Sequence, residues 1–596
     1  MKLSKPSVMR LEPTNSAGAR EEAPTRPAPI AIVGMSCRFP GSTGPDAYHR
    51  TLIKGQDLFS PPPRERWHWC SDDRIAVPKV GALVDIFDFD NALFRISPRE
   101  AEAIDPHQRL MLEEAWLAIE NAGYRLEHFR RKTTGVFIAV YNPDFQFYAR
   151  AGDWDEITRL YLATGAAHTM VPNRISYVLD LKGPSEVVDT ACSSALVAVH
   201  RAIEAIRSGE CEQAIVGGVS LLLEPSRLVR LQELGLLSVT GESAPFDRDS
   251  RGQVLGEGAA ALILKPLRQA LEDRDTIHAV VHGSGVNHQG ASSGGLTRPS
   301  ALAQAELIAR TWRRHGLDPH AACYVEAHGN GGGGDLSELL AFQDVFSAGV
   351  TIGSVKGNIG FLEAAGGMSQ IIKVVTAMRY GIMPATRSHR HLIEDAALRP
   401  EYLRVLSDNT SVSDLSLDRP FLAGVHAYGL GGCNAHIVLG EPARSLEDRN
   451  EHALPLLLSG DDEAELAASV GNLLQWLRQA PSASLDDICF TLAAGRSHKA
   501  RRAAFPCLSK AALVGWLGTA LHDFERARND VDPTILDEDI RRAMFHWLEG
   551  TDVAWERLIS QGNRIELAPV PLRRRRFPLP AIAPADLMGE CRDASA

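Results

Sequence analysis

Residues 186–210 read EVVDTACSSALVAVHRAIEAIRSGE. Glu186 to Thr190 look like the end of a strand. From Ser194 onward, Leu196, Val199, Ala202 and Ile206 recur at the spacing of one helix face. Cys192 therefore stands where a buried strand turns into a helix N-terminus. Unpaired N–H groups and the helix dipole favour a thiolate there. The same N–H groups can hold a developing oxyanion, so the chemistry on offer is acyl transfer through a cysteine thioester. A cysteine at such a place can also be no more than a small buried apolar residue. This segment alone leaves both readings open.

Nine cysteines are scattered along the chain, an odd number with no CxxC pair. That pattern favours neither a disulfide framework nor a zinc site, and it fits a reducing cytoplasm. The 63 Lys and Arg against 74 Asp and Glu leave a net charge of −11. Wrapping nucleic acid needs clustered basic residues, so no nucleic-acid partner is expected. No apolar run reaches the ~18 residues of a membrane span. The N-terminal stretch MKLSKPSVMRLEPTNSAGAR lacks the apolar segment of a secretory signal. Neither a membrane partner nor a bound metal or cofactor is expected.

The elements that must position Cys192 have an α/β texture. PIAIVG, GVFIAV, EQAIVGGVSLLL, GAAALILKPL, HAVVHGSGVN, CYVEAHG and VTIGSVKG are short apolar runs, most of them closing on Gly. Between them lie helix-length stretches such as SPREAEAIDPHQRLMLEEAWLAIENAG, which reads as one amphipathic helix closed by Gly123. Near-continuous apolar strands alternating with helices imply sheets covered on both faces. Length alone, at 596 residues, suggests about four domains. The texture divides the chain differently. Residues 1–27 read as a flexible arm, 28–443 as the α/β body, and 452–520 as a small α/β satellite. Residues 521–596 read as a helical segment followed by an extended Pro- and Arg-rich strap and tail.

DTACSSALVAVH resembles the active-site segment of β-ketoacyl synthases, in particular the ketosynthase domain of modular polyketide synthases. Further motifs of that family stand in order: IAIVGMSCRFPGS, PNRISY, FDRDSRGQVLGEG, VNHQG, EAHGNGGGGDLSE, GSVKGNIG, EAAGG and AYGLGGCNAH. The resemblance implies a thiolase fold, with two similar five-stranded βαβαβαββ halves stacked as α-β-α-β-α layers, and a homodimer. It implies Cys192 as the nucleophile and His328 of EAHG as the first catalytic histidine. The oxyanion hole would be the N–H groups of Cys192 and of Leu430, where the family usually has Phe. Lys356 and Glu363 would form an orienting charge pair in a buried polar network. Asn330, Gly332 and Asn434 would bind the phosphopantetheine on which acyl carrier proteins deliver the substrates. Other partners would be further polyketide synthase modules. The satellite and tail, with AGR, WLEGTDVAW and PLRRRRFPLP, resemble the linker after such domains. No acyltransferase domain is inserted in it, which resembles trans-acyltransferase assembly lines.

Two motifs depart from the family. The second histidine of K-x-x-I-G-H is here Phe361, in Lys356-Gly357-Asn358-Ile359-Gly360-Phe361. Phenylalanine donates no hydrogen bond, and loss of one oxyanion donor lowers a rate about 10²–10³-fold. His288, His389 and His391 exist, but no spacing points them at the site. The family's H-G-T-G-T is here His328-Gly329-Asn330-Gly331-Gly332, without the two threonine hydroxyls. Both losses fall on decarboxylative condensation, whereas the cysteine motif is intact. The expected activity is therefore transacylation without elongation, in the biosynthesis of an antibiotic-type polyketide. One alternative is an active or specialised branching condensing enzyme; another is a non-catalytic module that docks carriers. Carriers are acidic, so a basic patch is expected. Arg130, Arg131 and Lys132 are adjacent candidates, although a solvated loop is the preferred reading of that run.

Overall fold

The computed structural model describes residues 26–582, apart from 64–65, 67–78, 418, 443–452, 480–482, 525–526, 528–531, 560 and 569–571. The expected arm up to residue 25, the tail beyond 582 and the break between body and satellite lie outside the described residues.

Strands β1 (Ile30–Phe39), β2 (Thr134–Ala139), β3 (Ser185–Val188), β4 (Gln213–Ser220) and β5 (Gly258–Pro266) lie side by side in the order β1-β5-β4-β2-β3. β5 runs antiparallel to β1 and β4, while β4, β2 and β3 are parallel. A second set follows: β6 (Ala279–His288), β7 (Tyr324–Glu326), β8 (Val350–Gly353), β9 (Leu403–Val405), β10 (Leu422–Tyr428) and β11 (Cys433–Gly440). Its order is β6-β11-β10-β7-β8-β9. Without the edge strand β9, it repeats the order and the directions of the first set. β1 and β6 then pair antiparallel from Ile30↔Val281 to Ile32↔Ala279, which joins these eleven strands into one sheet, with the two-residue strand Ser42–Thr43 paired to the end of β1 as a twelfth. This is the two-half thiolase architecture, with the halves sharing a seam.

Helices cover both faces, so most of these strands are buried throughout instead of alternating. α1 (Pro106–Asn121) packs Leu110 and Leu112 on the outer face of the first half. α2 (Ser194–Ser208) follows the cysteine turn. α3 (Ala301–Arg314) and α4 (Asp335–Val345) cover the outer face of the second half with Ile308, Trp312, Leu339 and Phe342. α5 (Gly366–Tyr380) is buried from Gly366 to Met378. Leu196, Val199 and Ile203 of α2 share one core with Met368, Ile371 and Val375 of α5, which forms the central helical layer.

The stretch read as one long helix is two. Pro98–Ala103 ends at an extended Ile104, and Asp105 then caps α1 by accepting the His107 N–H. Pro106 lacks an N–H and pushes the residue before it out of helical geometry, so the break falls there. α1 is also not amphipathic: Arg109, Glu113 and Glu114 are buried. One face meets the sheet, and the other meets the C-terminal segments. Arg109 donates to the Phe577 carbonyl at 2.9 Å, Arg574 to Glu113 at 2.9 Å, and Arg496 to the Glu120 carbonyl at 2.9 Å.

The satellite comprises β12 (Leu454–Gly460), α6 (Glu463–Gln479), α7 (Leu485–Ala494), β13 (Arg501–Cys507) and α8 (Lys510–His522). β12 and β13 pair antiparallel, and Leu456, Val470, Phe490 and Leu517 share a separate core. The strap returns to the body, where Arg575 and Arg576 pair with Phe89 and Asp88. Among the described residues, no helix is long and apolar enough to cross a membrane.

Candidate active site

β3 ends at Val188, and one 3-10 turn, Ala191–Ser193, leads into α2. Ala191 has φ +55°, a left-handed conformation that costs an L-residue about 1–2 kcal/mol. Local hydrogen bonds hold it. Ser194 Oγ accepts the Thr190 N–H at 2.8 Å and donates to the Ala191 carbonyl at 2.6 Å. The β10–β11 loop crosses directly over this turn. A Cβ at Gly429 would stand 2.4 Å from the Thr190 carbonyl, so no side chain fits there. This close crossing brings the Leu430 N–H to the Cys192 sulfur, beside the N–H of Cys192 itself. The Leu430 side chain is half exposed.

Cys192 opens on a cleft of about 230 Å³ whose wall also includes His328, Asn330, Phe361, Tyr428 and Leu430. The cysteine comes from the first half and the others from the second, so the cleft lies between them. Burial, and next to it the charge of Glu363, push the Cys192 thiol up to about 12. The two N–H groups and Lys356 act in the opposite direction without overcoming them.

His328 follows β7. Glu338 on α4 accepts its backbone N–H at 2.7 Å and that of Gly329 at 2.8 Å, which fixes the loop. The imidazole leans on the Tyr428 ring, with centroids 4.1 Å apart, and meets Phe361 nearly edge-on at 5.3 Å. Burial, reinforced by the Lys356 charge, holds its pKa well below the usual histidine value, so the ring is neutral at pH 7. Phe361 is locked in place: its N–H donates to the Val254 carbonyl at 2.7 Å, and its carbonyl accepts the Gly256 N–H at 2.9 Å. Its ring packs with Leu222, Leu228, Leu255 and Cys192. Lys356 Nζ lies 5.5 Å from the ring centroid. An apolar ring thus fills the space among the sulfur, the imidazole and the ammonium. Among the described residues, Lys356 Nζ and His328 Nδ1 are both buried without a hydrogen-bond partner. Burial lowers the Lys356 pKa, against the pull of Glu338, Glu326 and Asp335.

The expected Lys356–Glu363 charge pair is corrected. Glu363 pairs with Arg227 instead, and it also accepts from Tyr141 at 2.9 Å and Asn142 at 3.0 Å. Lys356 and Glu363 therefore sit in different clusters, because Arg227 arrives from the segment after β4 and satisfies the carboxylate locally. No motif marks Arg227, Tyr141 or Asn142. Tyr428 lies inside AYGLGG, where the phenol on His328 was there to be read.

Asn330 and Gly332 do line the cleft. The Asn330 side chain is engaged within the protein: it donates to Gln253 at 2.7 Å and accepts the Gly332 N–H at 2.9 Å. A Cβ at Gly332 would stand 2.8 Å from that same oxygen. The two departures in this loop are thus one coupled arrangement. Asn434 is corrected as well. It is fully buried on β11, donates to Asn287 at 2.9 Å, and is not part of the cleft wall. Its amide nitrogen is engaged within the β6–β11 pair, where Asn434 stands opposite Asn287.

None of His288, His389 and His391 lines the cleft. His288 Nε2 lies 2.8 Å from the Gly431 carbonyl, and His389 Nδ1 3.1 Å from that of Pro245. The run at 130–132 ends a short helix, Leu126–Arg131, instead of forming a loop. Arg130 faces Glu127 at 3.9 Å and Lys132 pairs with Glu212 at 2.8 Å. Among the described residues, no group of three His, Cys, Asp or Glu could hold a metal ion.

Residues 28–270 match the family described as "Beta-ketoacyl synthase, N-terminal domain", and residues 278–390 match "Beta-ketoacyl synthase, C-terminal domain". The solved ketosynthase from module 6 of the bacillaene synthase of Bacillus subtilis 168 is 31% identical with a TM-score of 0.79, over 93% of this chain and 100% of that one. The chain belongs to the β-ketoacyl synthase family. The ketosynthase is also similar to the oxazolomycin ketosynthase domain of Streptomyces albus JA3453, at 30% identity and TM-score 0.81 over 93% of this chain and 99% of that one. Polyketide synthase PksR of Bacillus subtilis (strain 168) is 33% identical over 92% of the ketosynthase, which spans only 23% of PksR. Residues 455–517, in the satellite, match the family described as "CurL-like, PKS C-terminal". The ketosynthase is thus a domain of the modular polyketide synthase kind.

Proposed function

We propose that this ketosynthase takes an acyl chain from a carrier-bound thioester onto Cys192 and passes it to a second acceptor without elongating it. One observation carries the reading. The Phe361 ring occupies the space among Cys192, His328 and Lys356, and among the described residues His328 is the one histidine in the cleft wall.

The first transfer needs only what the cysteine half of the cleft provides. Cys192 Sγ attacks the thioester carbonyl and its proton passes to neutral His328. The tetrahedral oxyanion accepts the N–H groups of Cys192 and Leu430. The bond to the carrier's pantetheine sulfur breaks, and the departing thiolate takes the proton back. Transfer to the acceptor thiol runs the same steps in reverse. Condensation needs more. A malonyl thioester must lose carbon dioxide, and its enolate oxygen must be held by two donors until it attacks the acyl-cysteine. At 361 there is no donor.

Acyl carrier proteins and neighbouring modules are the proposed partners. A second copy paired along the edge strand β3 is the proposed assembly. The uninterrupted passage from satellite to strap supports a trans-acyltransferase setting. Incubation with an acyl carrier thioester is expected to add one acyl mass at Cys192, with no carbon dioxide released when malonyl carrier follows. Robust ketoacyl product would overturn the non-elongating reading. Failure to label Cys192 at all would leave only carrier docking.

A further inference from the structure

Arg227 takes no part in the transfer chemistry, yet its guanidinium is buried in the cleft wall with a side chain only 13% exposed. It lies over the Tyr141 ring at 4.4 Å, donates to Asn142 through one terminal nitrogen and pairs with Glu363 through the other. Among the described residues, its Nε is buried with no partner. A guanidinium has five N–H donors, and these two contacts use one hydrogen on each terminal nitrogen. That leaves three hydrogens over, the one on Nε among them. Glu363 is saturated in contrast, since Tyr141, Asn142, Arg227 and Ser220 all donate to it. It also lines the same cleft as the nucleophile, Cys192.

From this arrangement we infer that the ketosynthase selects an acyl chain bearing an uncharged oxygen, a hydroxyl or keto group, close to its thioester carbonyl. This rests on Cys192 being the acylated residue. The Arg227–Glu363 pair has no net charge, so it offers donors without attracting an anion. A chain ending in a carboxylate finds no net positive charge in that pair to offset the solvation it loses on entering the cleft. A saturated chain gives the spare Arg227 donors no acceptor, and a buried donor left without one is costly. A neutral oxygen accepts from them at no cost in charge. Leu231 and Leu236, in the same wall, receive the hydrocarbon. A site that hydrogen-bonds a substrate oxygen rejects the analogue without it far more strongly than a greasy pocket rejects a polar one.

The test compares chains of equal length. β-Hydroxybutyryl-pantetheine and butyryl-pantetheine are offered separately to the full chain, with succinyl-pantetheine as the charged arm, and the rate of adduct formation at Cys192 is read by intact mass. The hydroxylated donor is expected to react about tenfold faster than butyryl, the size of one hydrogen bond to a charged donor, with succinyl slowest. In Arg227→Met the hydroxy-to-butyryl ratio is expected to fall towards one. Equal rates in the unsubstituted chain, or a preference that survives in Arg227→Met, would overturn the inference while leaving the acylation reading intact. No adduct from any donor fails the acylation reading itself, and the inference falls with it. The unsubstituted chain alone can decide, so the outcome does not depend on how well the variant folds.

Discussion

Phe361 packs against Leu222, Leu255 and Cys192, where the family resemblance puts an imidazole. Replacing it with His returns a donor to a place bordered by the buried Lys356 Nζ and by His328. Phe361→His is expected to raise carbon dioxide release from malonyl carrier about 10²-fold. It is also expected to lower stability by about 2 kcal/mol, since a polar ring enters an apolar cluster. Radiolabelled malonyl carrier and thermal melting read the two effects. A specialised branching enzyme would show no such gain. The thiol makes a separate test. At neutral pH Cys192 is protonated, because its pKa is pushed up to about 12. Its thiolate fraction therefore grows about tenfold per pH unit from pH 7 upward. Lys356 favours the thiolate while charged, but its pKa is lowered by burial, so its charge goes as pH rises. Iodoacetamide labelling of Cys192, followed by peptide mass, should climb with pH from 7 and rise less steeply once Lys356 is neutral. A plateau between pH 7 and 8 would mean that the thiolate is already formed there.

The elements hold these residues through short, crowded connections. In the loop after β7, the Asn330 side chain closes on the Gly332 N–H and occupies the space a Cβ at 332 would need. Gly332→Thr alone should break that hydrogen bond and cost about 1–2 kcal/mol. Asn330→Thr with Gly332→Thr should recover most of it, as thermal melting of the single and double variants would report. Equal losses in both would show that the two positions are independent. Element types were largely legible beforehand. Val- and Ile-rich runs became strands, and Leu196, Val199 and Ala202 became the buried face of α2. The first long helix was misread as unbroken because its apolar spacing runs straight through Pro106. Backbone chemistry at one residue outweighed a periodicity spread over the whole segment.

Over the whole molecule, the C-terminal strap holds down the back of α1. Glu113 has a fully buried side chain and pairs with both Arg38 and Arg574, and Phe577 is buried near Arg109. Removing residues 572–596 would leave Glu113 with one cation fewer and uncover α1. The cost should be about 3 kcal/mol, read as a lower melting temperature. Acylation at Cys192 should persist, because among the described residues the cleft takes none from the strap. An unchanged melting temperature would show that the strap only lies on the surface.

The amino-acid sequence by itself determined the alternation of strands and helices, the turn that carries Cys192, the position of His328 after a strand, and the missing histidine at 361. Each of these is a property of neighbouring residues, and spacing is enough to express it. Only the tertiary structure decided that Glu363 answers to Arg227, 136 residues away, and not to Lys356. It also decided that Asn434 is buried inside the sheet against Asn287, and that Lys356 Nζ has no hydrogen-bond partner among the described residues. These outcomes depend on how segments far apart in the sequence pack together. Side chains from distant segments compete for the same few buried donors and acceptors, and local spacing does not say which of them arrives close enough to win.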